Sequence, residues 1–242
     1  VPVAVVPADP TWPTARPLDR SPVAPFDPPA SARDEVERQV DAYLALGVAA
    51  ALGWQEDALR AAVAPLVDAL PAPGPAPDRP APVADDQVPF VLVLDAGTAH
   101  ANALAPAMRR GSKLGVSVID DAEMAGYLPL PDLDLPTGPG PYLLHGVDTG
   151  SEFCGTTPEQ ALLAVRERGR TPLTIAEGLA LVTVRPDMLR PNRCFSLMAS
   201  RAGNQRVPAV WISERRAKLG WCWDRNPHTW LGATSAAGRV TG

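Results

Sequence analysis

Cysteine is scarce: Cys154, Cys194 and Cys222 are the three in a chain of 242 residues. An odd number at wide spacing makes neither a disulfide framework nor a zinc-ligand pattern, and fits a reducing compartment. Histidine is equally rare, at three, and no C-x2-C, H-x3-H or H-E-x-x-H spacing occurs. Cys222 and His228 stand apart from any second ligand pair, and a site from His100, His145 and Asp148 would need distant segments to meet, so no structural metal is expected. No apolar run approaches the ~18 residues of a membrane span. The opening VPVAVVPADPTWP has no basic n-region and no uninterrupted apolar stretch. The expectation is a cytoplasmic protein without membrane attachment. Also missing are a G-x-S-x-G elbow, a G-x-G-x-x-G turn and a G-x-x-x-x-G-K-[ST] loop. Their absence argues against a hydrolase nucleophile, a dinucleotide fold and a P-loop, and no cofactor is expected.

What the chain has in excess is proline, 29 residues, far above the usual share of about 5%. Nine fall in residues 1–30, seven between Pro71 and Pro89, and five between Pro129 and Pro141. Proline lacks an amide N–H and fixes its own backbone, so such stretches stay extended. They predict a proline-rich arm over 1–30, a linker over 71–87 and a surface loop at GYLPLPDLDLPTGPGP. Charge is uneven as well. Residues 1–156 hold 9 Lys and Arg against 21 Asp and Glu, a net of −12, whereas residues 157–242 hold 13 against 6, a net of +7. The split either serves an anionic partner or pairs internally, and internal pairing is preferred.

Between the proline-rich stretches, apolar spacing defines the elements. SARDEVERQVDAYLALG offers Ser31 as an N-cap and acidic residues where the helix dipole favours them. Val36, Val40, Tyr43 and Leu44 recur at helical spacing up to Gly47. A second helix, with Leu59, Val63, Leu66, Val67 and Leu70 on one face and a kink at Pro65, completes a helical hairpin over 31–70. VPFVLVLDAG reads as a buried strand, followed by a short helix over 99–110 and strands at 116–120 and 141–148. TPEQALLAVRERG and TIAEGLALV each start on a threonine with Gln160 or Glu177 three positions on, which predicts two capped helices. After Arg193, four short apolar runs, RCFSLMAS, VPAVWIS, KLGWCWD and TWLGAT, predict an antiparallel meander in which Leu219, Trp221 and Trp223 share the packed face. The fold class is α+β: an N-terminal helical hairpin, then a mixed α/β domain over 88–242 ending in a short-stranded antiparallel sheet.

The succession RGRTPLTIAEGLALV, FSLMASR, RVPAVWIS and KLGWCWDRNPHTWLG resembles an uncharacterised domain family of high-GC actinobacterial proteins. The likeness runs from about Val88 to Arg239 and is densest near its end. It implies a cytoplasmic bacterial protein and brings no activity, cofactor or catalytic residue.

Three groups of residues are candidates for function. Asp95, His145 and Asp148 lie in predicted strands or at their ends, where open α/β sheets gather ligands, although turn chemistry explains the aspartates equally. Cys154 precedes a helix whose dipole favours a thiolate, yet a lone cysteine there is usually incidental. The third group is the C-terminal alternation of tryptophan with arginine. Trp211, Trp221, Trp223 and Trp230 interleave with Arg201, Arg206 and Arg225, as in sheets that stack a base, or else they form a small core beside solvated arginines. The turn adds Asn226 and His228. No named nucleic-acid module matches and the overall charge is acidic, so general nucleic-acid binding is not expected; an anionic small molecule or a protein is the expected partner. The preferred reading is a non-catalytic binding protein using the turn from Asp224 to Trp230. The alternative is an enzyme on a small anionic substrate, with Asp148 or His228 for acid–base chemistry and Arg201 or Arg206 holding negative charge.

Overall fold

The computed structural model describes residues 3–71, 84–94, 97–138 and 140–242. Ser31 accepts the Asp34 amide at 3.1 Å and starts α1, Ala32–Ala45, which buries Val36, Val40 and Tyr43. Gly47 turns the chain in the left-handed region, φ 73°, into the short α2, Val48–Ala51, and α3, Glu56–Asp68, continues through Pro65. Of the expected linker, residues 72–83 lie outside the described residues; Ala84–Asp86 form a 3-10 turn into β1, Gln87–Val93. There follow α4, Ala101–Leu104, β2, Val116–Ser117, α5, Asp121–Gly126, β3, Leu128–Pro129, and β4, Tyr142–Asp148. Then come α6, Pro158–Glu167, β5, Thr171–Pro172, and α7, Ile175–Val184. The last third holds β6, Cys194–Ser196, β7, Ser200–Arg201, β8, Arg206–Ser213, and β9, Arg216–Trp223. It ends in β10, Leu231–Ala233, β11, Ser235–Ala236, and β12, Gly238–Val240. The fold is mixed α+β, with helices preceding a sheet-rich region. No helix among the described residues is long and apolar enough to cross a membrane.

Two five-stranded sheets organise the chain. The first runs β1-β4-β11-β5, with β12 also beside β4; the second runs β10-β6-β8-β9-β2. In the second sheet β6, β8 and β9 are antiparallel, as a meander requires, but the fourth run does not continue it. The outer edge of β9 is taken by β2, parallel to it, so β10 crosses to the free edge of β6 and pairs there in parallel.

Between the sheets lies α7, every residue of which is buried. Its one carboxylate, Glu177, closes the capping box that Thr174 begins: the Thr174 amide donates to it at 2.8 Å, and the Thr174 hydroxyl accepts the Glu177 amide at 3.2 Å. The rest of that carboxylate is held by Arg239, at 2.6 and 3.0 Å, and by the Tyr142 hydroxyl at 3.0 Å. Gly178 is needed for close approach, since a Cβ there would run into the Leu197 side chain.

The helices over 31–70 share one buried cluster with the sheets, in which Val36, Val40 and Leu59 join Leu92, Leu143, Leu181 and Phe195. The reason lies in polar residues of α1. Gln39 donates to the Phe90 carbonyl at 3.1 Å and accepts the Leu92 amide at 2.7 Å, while the Tyr43 hydroxyl donates to the Leu92 carbonyl. These side chains stand in for a neighbouring strand and cover the open edge of β1. The proline-rich arm is laid over the body. Val6 bridges Ser117, the Thr14 hydroxyl donates to the Ala103 carbonyl at 2.6 Å, and the Arg185 guanidinium lies 4.1 Å from the Phe26 ring centre.

Candidate ligand cleft

β8 and β9 pair in unbroken register from Arg206 opposite Trp223 to Ser213 opposite Arg216. Trp211 folds across to Gly220 on β9, where any Cβ would collide with its ring. One and three positions on, Trp221 and Trp223 meet edge to face, with centroids 5.1 Å apart and planes at 67°. The guanidinium of Arg206 sits 4.0 Å from the Trp221 ring centre, a cation–π contact. The turn after β9 then brings back His228 and Trp230, centroids 5.0 Å apart. That turn is pinned by its backbone. The Asp224 amide donates to Gln205 O at 2.8 Å, the Glu159 amide to Asp224 O at 3.2 Å, and the Gly155 amide to His228 O at 2.8 Å.

Together these groups surround a cleft of about 620 Å³. Four of the chain's tryptophans, Trp211, Trp221, Trp223 and Trp230, line it with His228. Asn192 and Asn226 supply its amides, and no carboxylate among the described residues belongs to the lining. Its thiols stay protonated: burial pushes Cys222 up to about 12, and burial also raises Cys194, against a downward pull from the hydrogen bond with the Ile212 backbone.

The packed-face expectation for β9 holds only in part. Leu219 is buried, but Trp221 is half-buried and Trp223 is 47% exposed, while Gly220 and Cys222 of the opposite set are buried. A twisted strand presents different sides to the core at its two ends, and the core changes sides after Leu219. None of the six tryptophans is fully buried.

Of the residues singled out in the sequence, Asn226, His228 and Trp230 line the cleft, and Arg206 borders it through Trp221. Arg206 is also paired with Glu123 at 2.7 Å. Arg201 is paired with Asp224 at 3.2 Å and donates to Met198 O at 3.2 Å, and the exposed Arg225 reaches Glu159 at 3.4 Å. Asp95 lies outside the described residues. Asp148 serves the turn after β4: it accepts the Gly150 amide at 2.7 Å and Gln87 Nε2 at 2.6 Å, and burial raises its carboxyl above the usual range. His145 sits opposite Phe90 on β4, its imidazolium disfavoured by burial and by Arg170. Neither Asp148 nor His145 lines the cleft. Cys154 is no thiolate either, since burial and the charge of Asp86 raise its thiol. Among the described residues no three His, Cys, Asp or Glu side chains are grouped to hold a metal ion.

The basic third meets acidic residues from earlier in the chain: Arg166 with Asp132 at 2.6 Å, Arg168 with Glu152 at 2.5 Å, and Arg190 with Asp86. Sequence reasoning missed Pro191 and Asn192 as cleft residues. The signal for them is faint: an asparagine, here at φ 58°, next to a proline, which reads as an ordinary turn.

A family described as one of unknown function (DUF5701) matches residues 42–242. No curated protein and no solved structure matches the chain.

Proposed function

We propose, for a chain that belongs to this family of unknown function, that the protein is a non-catalytic binding protein whose tryptophan cleft takes a small ligand through a planar ring. One observation carries the reading. Four tryptophans and a histidine gather around one concave surface instead of filling the core, where such large rings gain most from full burial. The cleft offers flat apolar faces, neutral amides and no carboxylate, which suits stacking and in-plane hydrogen bonds better than capture of a bare cation. The enzyme alternative has less support. Its acid–base candidates Asp148 and His228 belong to different sites, and its arginines Arg201 and Arg206 already hold carboxylates.

Titration of intrinsic tryptophan fluorescence with nucleosides, indole derivatives and cyclic sugars tests the reading. At least one class should quench saturably, and Trp223→Ala should weaken it by about 5- to 150-fold, the worth of one stacking contact of about 1 to 3 kcal/mol. Because Trp223 is nearly half exposed, the variant should keep its fold. Flat titrations throughout, or quenching indifferent to both Trp223→Ala and Trp230→Ala, refute it.

A further inference from the structure

A second cleft, of about 630 Å³, adjoins the first: Pro191 and Ile212 belong to the walls of both. Its lining is cationic, with Arg109, Arg110 and Arg215. The one carboxylate there among the described residues, Asp187, is already gripped by Arg185 at 2.9 and 2.7 Å. Arg109 is 2% exposed and has no carboxylate partner among the described residues. Its Nη2 donates to the Thr14 carbonyl at 3.2 Å and to the Arg16 carbonyl, but Nε and Nη1 have no acceptor. A buried guanidinium with idle donors lacks a counter-ion, which proteins seldom leave missing. Arg110 and Arg215 make no ion pair or side-chain hydrogen bond among the described residues.

Arg215 is also held in an unusual way. Glu214 and Arg215, at φ 53° and 65°, are the central residues of the β8–β9 hairpin turn, a conformation that favours Asn and Gly. Lys113 Nζ braces the turn through the Glu214 carbonyl at 3.0 Å. The backbone of the tip is thus fixed beside the cleft that Arg215 lines. β8 runs from Trp211, a wall residue of the tryptophan cleft, through Ile212, a wall residue of both clefts, to the turn that carries Arg215 in the cationic one.

We propose that the two clefts form one site for a nucleoside phosphate, with the base against the tryptophans and the phosphate chain on Arg109, Arg110 and Arg215. The proposal rests on the ring-binding reading and adds the anionic half of the ligand. Forked guanidinium donors match phosphate oxygens, so arginines can do here what a glycine-rich loop does elsewhere.

The test titrates the full chain with four ribonucleosides, their 5′-diphosphates, and pyrophosphate alone, by calorimetry and tryptophan fluorescence. At least one diphosphate should bind ten-fold or more tighter than its nucleoside, with an affinity that falls as salt rises. Arg110→Ala combined with Arg215→Ala should remove that gain, leaving the nucleoside affinity and the melting temperature in place. A diphosphate no tighter than its nucleoside overturns the proposal but leaves the ring-binding reading standing. Pyrophosphate that binds as tightly as any diphosphate, without a tryptophan signal, overturns it by making the clefts separate sites. Binding by none of these probes overturns it too, while indoles and sugars then decide the ring-binding reading independently.

Discussion

Arg239→Met probes the polar knot inside α7. Glu177 is fully buried, and the Arg239 side chain is only 4% exposed. The substitution removes two of the four hydrogen bonds on the carboxylate and all of its neutralising charge, leaving the Tyr142 hydroxyl and the Thr174 amide. Breaking one side of a buried ion pair costs about 3 to 5 kcal/mol, because the other charge stays behind in a poor solvent. Arg239 also donates to Thr171 Oγ1 at 2.8 Å and to Pro172 O at 3.3 Å, tying β12 to β5. Losing those bonds adds about 1 kcal/mol that Glu177→Gln does not incur. The double variant leaves no charge buried, so it should cost well under the sum of the singles, with a coupling of about 2 to 3 kcal/mol. Urea unfolding of the four proteins gives the numbers, provided the slope with denaturant is constant across them. A loss below about 1 kcal/mol in Arg239→Met, or a coupling within about 0.5 kcal/mol of zero, refutes the reasoning.

Leu219→Ala and Trp223→Ala, four residues apart on β9, should separate sharply in the same assay: about 2 to 5 kcal/mol for the buried leucine and about 1 or less for the 47% exposed tryptophan. Comparable losses would mean that Trp223 is a core residue. Burial first, and Arg170 second, hold the His145 imidazolium below its usual range. The unfolded chain therefore binds the extra proton as pH falls through about 6.5, so stability is lost on acidification and is unaffected above that range. His145→Gln should flatten this part of the melting-temperature profile between pH 8 and 5; parallel profiles for the two proteins would contradict it.

Features governed by neighbours in sequence were legible: the caps at Ser31, Thr157 and Thr174, and the apolar run that becomes β1. Features governed by distant partners were not. Whether TWLGAT follows β9 or crosses to β6 depends on β2 occupying an edge, and β2 lies a hundred residues earlier. Gln39 looks like helix surface until β1 presents its open edge. The site divides in the same way. Asn226, His228 and Trp230 stood out by composition within one stretch. Which arginines are spent on carboxylates and which are idle is a property of the packed molecule, and so Arg201 and Arg206 looked as available as Arg110 and Arg215.

The ten residues from Leu231 to Val240 supply β10 to one sheet and then β11 and β12 to the other. In a chain emerging from the ribosome, β4 and β6 therefore each wait with an unpaired edge until this segment has been made. β11 then slides into the slot between β4 and β5, and β10 docks on β6. One short segment thus completes both sheets through pairings 37 to 97 residues apart, from Leu231 with Cys194 to Val240 with Leu143, and non-local pairing of this kind is expected to form slowly and to leave strand edges exposed meanwhile. A chain still lacking Leu231 to Val240 is expected to aggregate through the bare edges of β4 and β6.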